Sequence, residues 1–207
     1  MTNESSSFKF CVCYNLKMKE DTRQKLIDAT YEEIYSNGYQ GAALSEILKK
    51  AGVHKGSMYH YFENKKDMSL VAINEKMDAR FFERYGKILE LQSGFVGALI
   101  AGYKDTTKRD FKRGCPIANI VQEMSNIDED FNLTMKTVYE KFRANIKHIL
   151  DKAVEVKEFK PCDTQKLALY ISAVLEGAIL AAKASGDEQD FLDTIEILEE
   201  YLKDFIL

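Results

Sequence analysis

Two stretches of this chain hold residue types that can do chemistry. In RDFKRGCPIANIVQEM, Arg109 to Met124, Cys115 directly follows Gly114 at a helix start, Pro116 occupies the first turn, and Lys112 and Arg113 stand close by. A helix N-terminus and neighbouring cations lower a thiol's pKa, so the spacing predicts a readily ionised Cys115 open to electrophiles and oxidants. In AGVHKGSMYHYF, Ala51 to Phe62, an Ala-Gly-Val turn leads into Lys, Gly, Ser, His and three aromatics. Those side chains are cations and hydrogen-bond donors of the kind that contact phosphates and base edges. A third feature is Lys183, which closes the small-residue run GAILAAKAS, where an ammonium is expected to be partly buried near another helix.

Other chemistries find little support. A thiol enzyme or redox protein built on Cys115 needs a base, yet the chain has only His54, His60 and His148, and the first two belong to the AGVHKG segment. No G-x-S-x-G, H-E-x-x-H, Walker A or Rossmann pattern occurs, so no catalytic role and no cofactor is implied. Cys11-Val12-Cys13 matches no zinc spacing and lacks a second cysteine pair, so no metal is expected. With no secretory leader and no run near about 18 apolar residues, the chain is expected to be cytoplasmic, with reduced thiols and no membrane partner.

The elements that must carry these residues are helical. Two prolines and eleven glycines, with 45% hydrophobic and 30% charged residues, predict a helix-rich all-α fold of about nine helices. Residues 1–20 lack a helical period and are read as an N-terminal tail. From Asp21 or Thr22 a helix presents Leu26, Ile27, Ala29, Thr30, Ile34 and Tyr35, and Asn37-Gly38 ends it. A second, Leu44 to Lys50, turns Leu44, Ile47 and Leu48 inward and stops at Gly52. A third runs from Lys55 to Tyr61, before Asn64 caps a long helix.

Three short helices with a glycine turn before the third describe a helix-turn-helix, whose later helix enters a major groove. Met58 and Phe62 face the core in this reading, leaving Lys55, Gly56, Ser57, Tyr59, His60 and Tyr61 outside. Lys55 and Ser57 are placed for base edges, Gly56 for close backbone approach, and Tyr59, Tyr61, His60 and Lys65 for phosphates. The charge distribution agrees: residues 1–68 carry ten Lys/Arg against nine Asp/Glu, while the remainder has 19 against 24.

At these residues the chain resembles the tetracycline-repressor (TetR) family. TRQKLIDATYEEIYSNGYQGAALSEILKKAGVHKGSMYHYFENKKDM is similar to its DNA-binding domain, and AGV-x-KG-x-x-Y-x-YF with a following Lys is the most specific part. The resemblance implies a homodimeric, ligand-responsive transcriptional repressor that binds a double-stranded, near-palindromic operator. It implies a DNA-binding domain at 21–66 and an effector-binding and dimerisation domain at 67–207. Three positions depart from the family pattern. Ala43 stands where a Ser or Thr N-cap is usual, His54 where Ser or Thr is usual, and Leu48 where Ala is customary.

Beyond Lys65 the pattern predicts helices at Lys65–Leu91, Phe95–Phe111, Cys115–Ser125, Asp128–Val156, Thr164–Ser185 and Gln189–Phe205. In the last, Phe191, Ile195, Leu198, Leu202 and Phe205 form a heptad-like seam expected to meet a second subunit, with an intramolecular core as the other reading. Family members bind effectors among the middle helices, which makes Phe81, Phe82, Tyr85, Tyr103, Met124, Phe131, Met135, Tyr139 and His148 candidates. GCPIANIVQE and AILAAKAS resemble the branch that contains the N-ethylmaleimide-reductase repressor, a sensor of electrophiles. That resemblance makes Cys115 the sensing thiol and Lys183 the matching late lysine, with a buried inert Cys115 as the other reading.

Overall fold

A computed structural model describes residues 4–207, with side chains from Asp21 onward. Among the described residues the chain is nine helices: α1 (Glu4–Gly41), α2 (Leu44–Ala51), α3 (Lys55–Met58), α4 (Lys65–Leu89), α5 (Phe95–Lys104), α6 (Pro116–Met124), α7 (Glu129–Glu155), α8 (Thr164–Ser185) and α9 (Gln189–Lys203). The tail expected over residues 1–20, with Cys11 and Cys13, falls outside the residues whose side chains are described. Helix α1 is traced from Glu4, upstream of the expected start. The helices divide into two compact units, Met1–Glu75 and Lys76–Leu207.

In the first unit Leu26, Ile27, Ala29, Thr30, Ile34 and Tyr35 bury one face of α1. At Gly38 φ is 73°, a left-handed value that glycine adopts without a Cβ clash, and the helix breaks there as the Asn37-Gly38 pair predicts. Helix α2 buries Ile47 and Ala51 and half-buries Leu44 and Leu48. Gly52, with φ 65°, closes it, and the Val53 N–H reaches back to the Leu48 carbonyl at 3.0 Å. Helix α3 is shorter than predicted. After Met58 the His60 and Tyr61 N–H groups bond three residues back, to Ser57 and Met58, so the expected helix to Tyr61 becomes tight turns. Asn64 caps α4 by accepting from the Asp67 N–H at 2.9 Å, and the Asp67 carboxylate accepts from the Glu63 N–H at 3.0 Å.

In the second unit α8 packs on α7 and α9, α7 on α5 and α6, and α5 on α9. Helix α5 stops at Lys104 rather than Phe111, because the Asp105 carboxylate takes the Thr107 N–H and hydroxyl at 3.0 and 2.6 Å and holds the chain in a turn. Its other end is capped from a distance: the Glu158 carboxylate accepts from the Gly94, Phe95 and Val96 N–H groups at 2.7, 3.0 and 2.9 Å. Helix α8, 22 residues, is long and apolar enough to cross a membrane by length and composition alone, although Glu176 interrupts its apolar run. Its Leu167, Ile171, Leu175 and Ala178 are buried in the helical core.

The α9 seam is also corrected. Phe191, Ile195, Leu198 and Leu202 are all buried within the single chain, and Phe205 stacks on Phe159 at 5.3 Å. The periodicity therefore marks an intramolecular core. What α8 and α9 leave exposed is a different face: Leu169, Tyr170 and Leu180 beside exposed Ala173, Gly177 and Ala181, with Ile197 and Tyr201 on α9. The Tyr170 and Tyr201 rings lie 5.2 Å apart and join the two helices across it.

Candidate functional site

The segment read as groove-facing is held by its own apolar residues. Met58 and Phe62 are buried at 0% and 3% exposure, which turns the intervening positions outward. Lys55, Gly56, Tyr59 and His60 are exposed, and Ser57 and Tyr61 are half-buried. Lys65 does more than carry charge: its Nζ donates to the Tyr39 carbonyl at 2.6 Å and sits 4.3 Å from the Tyr39 ring, tying α4 to the α1–α2 turn. The surrounding basic cluster is less outward than its sequence suggests, since Lys50 pairs with the buried Glu33, and Lys49 with Glu46. Neither Ala43 nor His54 makes a side-chain cap for the helix it precedes.

In the second unit a cavity of about 50 Å³ opens between α4, the turn at 109–115, α6, α7 and α8. Its apolar wall includes Phe81, Phe111, Phe142 and Leu175, and its polar groups are Arg80, Arg84, Tyr85, Arg109, Asp110, Cys115 and Glu176. Helix α4 supplies Arg80, Phe81, Arg84 and Tyr85 because positions four apart share a face. The turn is locked by Gly114, with φ 79°, over which Lys183 lies. A Cβ at Gly114 would meet the Lys183 Cδ at 2.9 Å. Lys183 donates to the Arg113 carbonyl at 3.1 Å, and the Asn119 Nδ2 donates to the same oxygen at 2.7 Å. Lys183 is thus an exposed clamp on the turn, not the partly buried cation expected.

Cys115 lines the cavity half-buried, and its Sγ lies 3.2 Å from Glu176 Oε1. The expectation of a readily ionised thiol is overturned. Burial, then the Glu176 charge, pushes the thiol up to about 12, although the Ala118 and Ile117 amides at the α6 N-terminus pull it down. The helix-terminus effect is present and loses to desolvation. Burial likewise raises the Glu176 carboxyl above its ordinary range, against the Cys115 bond and the charges of Arg109 and Arg84. Burial pushes the Arg109 guanidinium from 12.5 down to about 10, which at about 1.4 kcal/mol per pH unit costs the fold about 3 kcal/mol. The fully buried Tyr85 and Tyr103 phenols are both raised, first by desolvation, and the two hydroxyls interact with each other but with no third partner.

Of the residues expected at an effector site, Cys115, Phe81 and Tyr85 line this cavity. Tyr103 is buried behind Tyr85, and Met124, Phe131 and Met135 are buried core. Tyr139 is half-buried, packed edge-on against Phe142 at 5.8 Å. Phe82 is 76% exposed, and His148 is exposed on α7, one position before the buried Ile149, so neither faces the cavity. Arg80, Arg84, Arg109 and Glu176 were not anticipated. Glu176 carried a signal: it is the lone acid within the apolar run of α8. Among the described residues no group of three or more His, Cys, Asp or Glu could hold a metal ion.

A three-helix reading unit followed by a helical unit with its own cavity defines a one-component DNA-binding regulator. Residues 26–71 match the family described as bacterial regulatory proteins, tetR family, and residues 96–198 match the tetracyclin repressor-like C-terminal domain. The transcriptional regulator AcuR of Cereibacter sphaeroides is 33% identical over 172 residues, covering 77% of this chain and 75% of AcuR. The HTH-type transcriptional repressor NemR of Escherichia coli K12 is 30% identical over 183 residues, covering 83% and 88%. The crystal structure of reduced E. coli NemR superposes with a TM-score of 0.78 at 25% identity, covering 90% of this chain and 97% of NemR. The chain belongs to the TetR family of transcriptional regulators.

Proposed function

We propose that this chain is a cytoplasmic, homodimeric repressor that leaves its operator when a small effector occupies the cavity beside Cys115. The observation that carries the reading is the orientation of Lys55–Tyr61, whose polar groups stand outside while Met58 and Phe62 anchor the segment. Lys55 and Ser57 read base edges, Tyr59, His60, Tyr61 and Lys65 hold phosphates, and the exposed apolar face of α8 and α9 meets its copy in the partner. Helix α4 begins beside the reading segment at Asn64 and contributes Arg80, Phe81, Arg84 and Tyr85 to the cavity. An effector that favours a different α4 position changes the spacing of the two reading segments, and operator affinity falls by that differential free energy.

A salt titration of operator binding tests this. Several phosphate contacts give a steep negative slope of log affinity against log salt, and a flat slope contradicts the reading. In the same assay Lys55→Ala changes preference among base sequences.

Covalent release through Cys115 is a second reading, favoured by the Sγ–Glu176 contact inside the cavity. Glu176 takes the thiol proton, sulfur bonds to the β-carbon of an α,β-unsaturated carbonyl, and the resulting enolate takes a proton from the protonated carboxyl or water. Cys115→Ser separates the two routes: it removes release by electrophiles and leaves release by a non-covalent ligand intact. A thiol enzyme has less to stand on, because Cys115 is paired with a carboxylate and His148 faces away.

A further inference from the structure

The polar groups of this cavity are unmatched in a consistent way. Arg80, Arg84 and Arg109 border it, and among the described residues none of them forms an ion pair. Of the two carboxylates at the cavity, Asp110 is engaged by Arg113 and Glu176 Oε1 by Cys115. Two buried polar atoms at the cavity lack a partner, Arg109 Nε and Glu176 Oε2, and the Tyr85 hydroxyl has only the Tyr103 hydroxyl for company. Buried donors are satisfied in nearly all folded proteins, so a cluster of orphans beside a cavity marks a missing ligand. Tyr85 is fully buried on α4 and part of the cavity wall.

We propose that this cavity binds a short-chain organic carboxylate, its oxygens accepting from Arg84, Arg109 and the Tyr85 hydroxyl and its alkyl end lying against Phe81, Phe142 and Leu175. The inference rests on the effector reading above and gives that site its ligand class. Guanidinium groups suit a planar carboxylate because their N–H groups match its two oxygens. The aromatic and aliphatic wall disfavours inorganic phosphate, which has no apolar part to place there. A volume of about 50 Å³ holds roughly four water-sized groups, which suits acetate or propionate better than a longer chain. Glu176 stands in the same cavity, where burial raises its carboxyl above the ordinary range and so lessens its repulsion of an anion. Arg80 and Arg84 also border a neighbouring polar cavity of about 180 Å³, so their charge faces both spaces.

Calorimetric titration of the full chain, without DNA, with sodium acetate, propionate and butyrate against butyramide and inorganic phosphate tests the proposal. At least one carboxylate is expected to bind roughly tenfold or more tighter than butyramide and phosphate, since charge-assisted bonds are lost in the amide. Arg109→Met abolishes that preference, and Tyr85→Phe weakens carboxylate binding roughly three- to tenfold. Equal binding of butyramide, failure of all three carboxylates, or a preference that survives Arg109→Met overturns it. Should Arg109→Met not fold, Tyr85→Phe and the carboxylate–amide comparison on the unaltered protein decide. Adding operator DNA separates the two claims: a carboxylate that binds without releasing DNA leaves the site standing and defeats the effector reading.

Discussion

Cys115 shows how one residue's environment reverses a sound local expectation. The Gly-Cys-Pro helix start and the nearby Lys112 and Arg113 are legible in sequence; the fold adds burial and Glu176, sixty-one residues away, which no spacing rule reaches. A folded pKa raised from 9.0 to about 12 means that the thiol's contribution to stability is complete below about 9 and is lost as pH rises toward 12. It also means that, at neutral pH, peptide-mapped labelling with iodoacetamide is at least roughly tenfold slower at Cys115 in the folded protein than in the denatured one, the lower thiolate fraction outweighing its greater nucleophilicity. Equal rates in the two states would contradict the burial argument. Arg109 is the complementary case, a cation held in a poor solvent with no carboxylate partner. Arg109→Met removes the desolvation cost and keeps the packing, so it is expected to stabilise the protein by about 1–2 kcal/mol and raise Tm by about 2–8 °C. A fall in Tm would mean that the Phe191 ring, 4.5 Å from the guanidinium carbon, matters more than desolvation.

At the scale of the element, the starts and stops written in adjacent residues were the legible ones: Gly38 and Gly52 beyond helix ends and Asn64 as a cap. The α5 end was missed because Asp105 reads in sequence as one more polar helical residue, while its side chain in fact closes a turn. The α9 seam was misassigned because a stripe at steps of three and four looks the same whether it meets its own chain or another. Two substitutions probe the caps. Ala43→Ser supplies the missing N-cap acceptor for α2 and is expected to stabilise by about 0.5–1 kcal/mol. Glu158→Ala strips the three N–H groups at the α5 start of their partner and is expected to cost about 1–3 kcal/mol, with Glu158→Gln losing less. Urea unfolding checks both; a silent Glu158→Ala would show that water replaces the cap.

Across the whole molecule, the all-helical architecture and the reading segment were visible in sequence because period, glycine corners and a dense motif coincide there. The cavity was not, since it is assembled from α4, the 109–115 turn, α6, α7 and α8, and only contact between those elements makes arginines and a lone glutamate into neighbours. The exposed stripe of α8 and α9 gives the assembly its own test. Leu180→Asp combined with Ile197→Asp places four like charges in a two-fold interface, so sedimentation is expected to show monomers and operator affinity to fall roughly tenfold or more. An unchanged dimer would locate the interface elsewhere. The most direct measurement for the account as a whole is a footprint of the purified protein on the DNA upstream of its own neighbouring gene. Two symmetry-related protected half-sites, separated by about one helical turn or a small multiple, are expected. Absence of protection at low salt, or a single unpaired half-site, would contradict a dimer that reads DNA with the Lys55–Tyr61 segment.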